Sequence, residues 1–243
     1  MSSEQFSNAI VVHGALVMLP DELVDAGVTC SNYQVDGEPR FPAKGRYQRP
    51  VQNLVLHETA GDSNIGPKRK FATGKFAAQL ICADTGHVSC HADLAEDILW
   101  HGNQLNGYGP GIEFVNPYSP LYDRTPLRAT IPRQWWTWVP SMRDPVVAAL
   151  VQKRGWTAVP QAYCLPTEAQ LQTLHLFVPW LCGVLGIPYE FPTKHLSAKQ
   201  RKIPGWNAKP AAHPGAGVVC HRDYAQHSDG RYLLQALAGV GDD

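Results

Sequence analysis

The stretch that decides the fold is Gly217-Val218-Val219-Cys220-His221-Arg222-Asp223-Tyr224-Ala225-Gln226-His227-Ser228-Asp229-Gly230. An apolar run delivers a histidine, and a turn-rich segment then supplies a second histidine and two aspartates, which reads as a buried strand ending at a metal site. Zinc takes imidazole nitrogen and carboxylate oxygen together, and a catalytic zinc keeps three protein ligands so that a fourth position stays open to water. His221 supplies one ligand, and Asp229 or His227 a second. The third is expected from Asn53-Leu54-Val55-Leu56-His57, another apolar run, which hands its histidine to Glu58-Thr59-Ala60-Gly61 in the same way.

Between these two ends lie further fragments in a fixed order: Trp100-His101-Gly102, Gly111-Ile112-Glu113 and Pro166-Thr167-Glu168-Ala169-Gln170. Each alone is short enough to recur by chance. Together with His57-Glu58-Thr59-Ala60-Gly61 and with Asp229 eight residues after His221, they resemble the type 2 family of zinc-dependent N-acetylmuramoyl-L-alanine amidases. That family is related to phage lysozyme-type amidases and to peptidoglycan recognition proteins, and the similarity runs from about Val51 to Gly230.

The resemblance implies an α/β fold with a central mixed β-sheet flanked by helices and a zinc site in a surface cleft at the strand ends. It implies His57, His221 and Asp229 as metal ligands, Glu113 as general acid/base, and Trp100, His101 and Asn106 along the substrate cleft. The bond cleaved would join the lactyl group of N-acetylmuramic acid to L-alanine. His227 falls two residues before Asp229, where many relatives carry a catalytic lysine. The competing ligand set is His57, His221 and His227, since zinc also accepts three imidazoles. Three departures stand out. The proline of the family's Lys-x-Asp-Pro-Gly is missing, Gly109-Pro110 replaces Ser-Ile before Gly-Ile-Glu, and Ala78 occupies the place of a catalytic tyrosine in phage-type relatives.

Glu113 also stands out on physical grounds. An acidic residue amid an apolar strand costs several kcal/mol, roughly, unless it is paired or meets a metal-bound group; the alternative is a glutamate on the wet face of an edge strand. His101 reads equally as a loop histidine bonded to backbone. A recogniser that binds wall fragments without cutting them belongs to the same family resemblance, although such relatives typically lack a zinc ligand and this chain keeps all three. A metallopeptidase of the H-E-x-x-H kind is disfavoured, because residue 61 is glycine.

A chain of 243 residues with 44% apolar content reads as one enlarged domain or a domain with an appendage. Residues 1–50 form a strand-and-arm region, and 51–243 the catalytic domain, with an aromatic-rich insertion at about 117–166 that reads as a satellite core. Zero formal net charge argues against a nucleic-acid binder. The six cysteines sit mostly in apolar runs and read as buried thiols, with a Cys82–Cys90 bridge the open alternative. No stretch reads as a membrane span or a secretory signal, so the chain is expected to be made in the cytoplasm. It would reach the cell wall or periplasm after lysis or by specialised export, or act on muropeptides brought inward. An exported antibacterial enzyme would call for an immunity protein over the cleft, with the aromatic insertion as a contact surface.

Secondary structure follows from punctuation and period. The first fifty residues predict a strand pair and an irregular arm, with His13 as a core or edge histidine. Residues 62–74 predict a short helix or loop, and 77–82 with 87–90 a hairpin around Asp84-Thr85-Gly86. Residues 144–153 predict a short helix, and 194–216 a basic, proline-rich loop in which His195 and His213 have no evident partner. Thr167 and Gln170 form a capping box, and Leu171, Leu174, Val178, Leu181 and Leu185 mark one helical stripe, with His175 off it. Pro179 predicts a kink or two shorter pieces, and Gly186-Ile187-Pro188 a stop.

Overall fold

The computed structural model describes residues 6–59, 65–116, 138–140, 162–164, 166–193, 215–221 and 229–238. Its strands are β1 (Ala9–Val12), β2 (Ala15–Met18), β3 (Cys30–Asn32), β4 (Gly45–Arg46), β5 (Asn53–Glu58), β6 (Leu80–Cys82), β7 (Val88–Cys90), β8 (Asp97–Ile98), β9 (Gly111–Phe114), β10 (Trp138–Pro140), β11 (Ala162–Cys164) and β12 (Gly217–Cys220). The helices are α1 (Asp21–Asp25), α2 (Ile65–Ala72), α3 (Glu168–Leu185) and α4 (Arg231–Ala238), with a 3₁₀ turn at Asn103–Gly107.

The two histidine-bearing runs are neighbours. Six strands form one sheet in the order β12-β5-β9-β6-β7-β3, in which β12, β5, β9 and β6 run parallel and β7 is antiparallel to β6. This is the mixed α/β sheet that the resemblance implies. Parallel strands buried on both faces read as continuous apolar runs, which is why β5 and β12 are buried along their whole lengths.

Because strand side chains alternate, each run feeds two cores. Leu54, Leu56, Ile112, Phe114, Val218 and Cys220 face α3 and α4, meeting Leu174, Phe177, Val178, Leu181, Leu233 and Leu234. Val55 and Val219 point the other way, towards Leu105 of the 3₁₀ turn. Ile81 lies in a second small core with Phe41, Phe71 and Leu99. His57 and Glu113 follow Val55 and Gly111 by two residues, so they share the face opposite α3.

Helix α3 carries the predicted box: Thr167 Oγ1 accepts from the Gln170 amide at 3.1 Å, and Gln170 Oε1 accepts from the Thr167 amide at 3.0 Å. Its buried face takes in Gln170, Thr173, Phe177 and Cys182 besides the predicted Leu174, Val178 and Leu181. The helix runs as one element through Pro179 and is not split into two shorter pieces. Burial of Leu174, Phe177, Val178 and Leu181, each worth roughly 1.5–3 kcal/mol, outweighs the roughly 3 kcal/mol proline penalty. It stops at Gly186 (φ 67°), whose left-handed backbone turns the chain so that the Ile187 amide reaches the Cys182 carbonyl at 2.8 Å.

The first fifty residues are tied into the sheet rather than appended to it, since β3 pairs with β7 and Ile10, Val11 and Cys30 join the α3-facing core. His13 differs from expectation: it sits exposed at the β1–β2 turn, where its φ of 51° matches a tight hairpin rather than a core position. Strand β6 is shorter than its predicted 77–82, and α2 forms within 62–74. His175 is exposed, as its place off the stripe predicts. Cys82 and Cys90 are buried thiols that form no disulfide with each other, and Cys30, Cys182 and Cys220 are buried too. Of the aromatic insertion, only the antiparallel pair β10–β11 is described. The predicted helix at 144–153, His195, His213 and His227 lie outside the described residues. Replacing Thr167 with alanine removes the α3 cap and its Oγ1–H donation to the Asp84 carbonyl (2.6 Å), and should lower stability by about 1–2 kcal/mol in urea titration.

Candidate metal centre

The site is a consequence of strand register. Cys220 lies opposite Leu56 in the β12–β5 pairing, so the residue that follows β12, His221, comes beside His57. On the other side, Glu113 of β9 is opposite His57. Three polar side chains thus meet at the carboxyl ends of parallel strands, where open α/β sheets bind ligands. Asp229 arrives from the start of α4. His57 Nδ1 and His221 Nδ1 each lie 3.2 Å from the same oxygen, Asp229 Oδ2, and all three residues are buried. The ligand atoms of His57, His221 and Asp229 lie within 4.8 Å of one another. Cys220 points to the α3 side, so it is excluded from this set.

The donor set fits a cation. Glu113 is half-buried, but its Oε2 is fully buried and has no hydrogen-bond partner among the described residues. Burial pushes its carboxyl well above the ordinary range; the Asp229 and Glu58 carboxylates push it further, and Lys70 opposes them. Several carboxylates crowded into a dry site need positive charge between them. Two imidazoles and a carboxylate are also the ligand chemistry that zinc takes.

A further carboxylate holds Asp229 in place. Glu58 follows His57 but faces the helical side; its Oε1 accepts from the Asn116 side-chain amide at 2.7 Å and its Oε2 from the Gly230 amide at 3.0 Å. Gly230 has φ 80°, and a Cβ there would lie 2.1 Å from the Leu56 carbonyl oxygen. The proline absent between Asp229 and Gly230 is thereby accounted for: a proline at position 230 would lack the N–H that Glu58 accepts. Neither Glu58 nor Asn116 was singled out from sequence, although a carboxylate sharing the face of Leu54 and Leu56 is the signal that would have found it.

The remaining predicted residues sit on the loop after β8. Asn106 Oδ1 accepts from the amides of His101 (2.9 Å) and Gly102 (2.7 Å), so it shapes this loop. The His101 ring turns inward, with Nδ1 3.0 Å from His57 Nε2 and Nε2 3.1 Å from the Gly109 carbonyl. Burial holds its pKa well below the usual histidine value, with His57 adding to the effect. Trp100 beside it is 55% exposed, with Lys44 Nζ 5.4 Å from its ring centre. Ala78 is buried and offers no hydroxyl. Elsewhere, a cavity of about 460 Å³ lies between Val12, Tyr47, Val51 and Leu185, with Arg46 at its edge; no member of the cluster lines it, and Arg46 is paired with Glu96 and Asp97.

An α/β sheet that carries a buried two-histidine, one-aspartate cluster at its strand ends, with an adjacent carboxyl whose pKa burial raises, defines a candidate metallohydrolase. The sequence places it more narrowly: residues 47–230 match the family model described as N-acetylmuramoyl-L-alanine amidase, and the chain belongs to that family. No curated protein and no solved structure matches the chain. Among the described residues, no helix is long and apolar enough to cross a membrane.

Glu113 makes the metal-free protein pH-sensitive. Its folded pKa lies above the unfolded value, so folding retains a proton that the unfolded chain releases, and stability falls as pH rises out of the ordinary carboxylate range. Metal-free Glu113→Gln should therefore melt higher than the native protein at pH 7–8, with the difference vanishing near pH 4; equal melting curves at both pH values would contradict this. Glu58→Ala should cost about 3 kcal/mol, because it strands the Asn116 and Gly230 donors in a dry site.

Proposed function

We propose that the protein is a zinc-dependent amidase that cleaves the bond between the lactyl group of N-acetylmuramic acid and L-alanine in peptidoglycan. The observation that carries this reading is the placement of Glu113 opposite His57, beside the His57/His221/Asp229 cluster, in a chain of the amidase family. His57, His221 and Asp229 would hold the ion. Zinc, when bound there, supplies Lewis acidity towards the scissile carbonyl and towards water.

The chain's own groups supply the proton movements. Glu113 takes a proton from the attacking water and returns it to the departing amide nitrogen as the C–N bond breaks, leaving a lactyl carboxylate and a free L-alanine amine. Burial raises its pKa, which favours its giving that proton back to the leaving nitrogen. His227, by its place two residues before Asp229, would stabilise the oxyanion of the tetrahedral intermediate as a hydrogen-bond donor. Trp100, with Lys44 over its ring, offers an exposed stacking face and a cation to the saccharide or its stem peptide.

Digestion of purified peptidoglycan, read by mass spectrometry of the soluble products, tests the reading. Stem peptides with a new L-alanine amino terminus should appear, vanish with a chelator, and fall about 10²- to 10⁴-fold in rate with Glu113→Gln. Wall that is bound but uncut by zinc-loaded protein would replace this reading with that of a recogniser. Asp229→Ala should lose zinc, whereas His227→Ala should keep zinc and lose turnover by about 10²- to 10³-fold. The reverse pair of results would favour the three-histidine ligand set.

A further inference from the structure

His57 is gripped at both ring nitrogens, by Asp229 on one side and His101 on the other. We infer that His101 is a positioning residue that fixes the tautomer of His57, keeping the proton on Nε2 so that Nδ1 turns its lone pair towards His221 and Asp229. The inference rests on the reading of the cluster as a zinc site and adds a role that lies behind it.

The chain of donors is set from its far end. The Gly109 carbonyl oxygen, 3.1 Å from His101 Nε2, can only accept, so Nε2 carries the His101 proton. The ring is buried, and its partners are a carbonyl and an imidazole; a second proton would be a buried charge with no counter-charge beside it among the described residues. Nδ1 of His101 is therefore bare. It lies 3.0 Å from His57 Nε2 with the two rings at 86°, so one ring's N–H points into the other's lone pair. His57 must be the donor. A neutral His57 that spends its single proton on Nε2 has none for Nδ1, the atom 3.2 Å from Asp229 Oδ2. Two acceptors then face each other, an arrangement that a cation relieves.

Without His101 the preference would reverse. His57 Nδ1–H would donate to the Asp229 carboxylate, a charge-assisted hydrogen bond, and metal would have to displace that proton. The local sequence is shaped around the lock. A Cβ on Gly111 would lie 2.7 Å from His101 Nδ1, so the ring fits only beside a glycine in β9. Asn106 fixes the backbone of the loop that presents the ring, through its bonds to the His101 and Gly102 amides. Gly109, part of the departure from the usual sequence, thus supplies the carbonyl that sets the His101 proton, and Gly111 of the Gly-Ile-Glu segment supplies the space that its ring occupies.

The test uses the full chain, labelled with ¹⁵N and stripped of metal. Long-range ¹H–¹⁵N correlation spectra report which nitrogen of each histidine carries the proton, and His57 should show it on Nε2. His101→Phe should move that proton to Nδ1 and weaken zinc binding about 10- to 100-fold in competition with a chromophoric chelator. His101→Asn, whose amide oxygen stands near the Nδ1 position, should restore most of the affinity and the native tautomer. A native His57 protonated on Nδ1, or a folded His101→Phe that binds zinc as tightly as the native protein, would overturn the proposal. Should His101→Phe fail to fold, the native tautomer decides alone. A native protein that shows the Nε2 tautomer but takes up no zinc would overturn the metal reading and leave the lock in place.

Discussion

The structure depends on the parallel pairing of β12, β5 and β9. Register is quantised: a slip of one residue would turn His57 into the α3-facing core and bring Leu56 into the site. That register is specified by apolar burial, because Leu54 and Leu56 on β5, Ile112 and Phe114 on β9, and Val218 and Cys220 on β12 must all meet α3 and α4. The hydrophobic core therefore sets the site geometry directly. The same alternation that buries one residue presents the next, and His221, His57 and Glu113 form a row across three adjacent strands.

The second constraint is electrostatic. The site gathers Glu58, Glu113 and Asp229 around two imidazoles in a region with little access to water. Glu58 is satisfied by fixed donors on Asn116 and Gly230, and its work is to hold the turn that carries Asp229. Glu113 has no such donor for its buried oxygen among the described residues, and burial raises its pKa. These carboxylates differ by their partners: Glu58 is anchored, Asp229 faces the two histidines, and Glu113 keeps one buried oxygen without a donor among the described residues. Such a division of environments is how a fold assigns separate tasks to chemically similar groups.

Much of this was legible in the sequence, for identifiable reasons. The runs ending in His57 and His221 announced themselves because parallel strands are apolar on both faces and a terminal histidine is conspicuous there. Glu113 was visible as an acid in an apolar strand, and α3 through its capping box. What escaped was information carried across strands. The inward turn of His101 depends on the missing Cβ of Gly111, and the use of Glu58 depends on Asn116 and Gly230, distant in sequence and joined only by the sheet. Whether Pro179 splits α3 stayed open in the sequence, because a local penalty says nothing of the packing that outweighs it. His13 was placed with its apolar neighbours because the φ that a tight turn demands is not written in the hydropathy.

The central claim is that His57, His221 and Asp229 converge to bind one zinc ion. It is tested most directly by a crystal structure of the zinc-loaded protein with anomalous diffraction recorded on both sides of the zinc absorption edge. The account predicts a single anomalous peak bonded to His57, His221 and the Asp229 carboxylate, with Glu113 near it but not ligated. A peak ligated by His227 in place of Asp229, a peak elsewhere, or no peak from protein shown to contain zinc would contradict it.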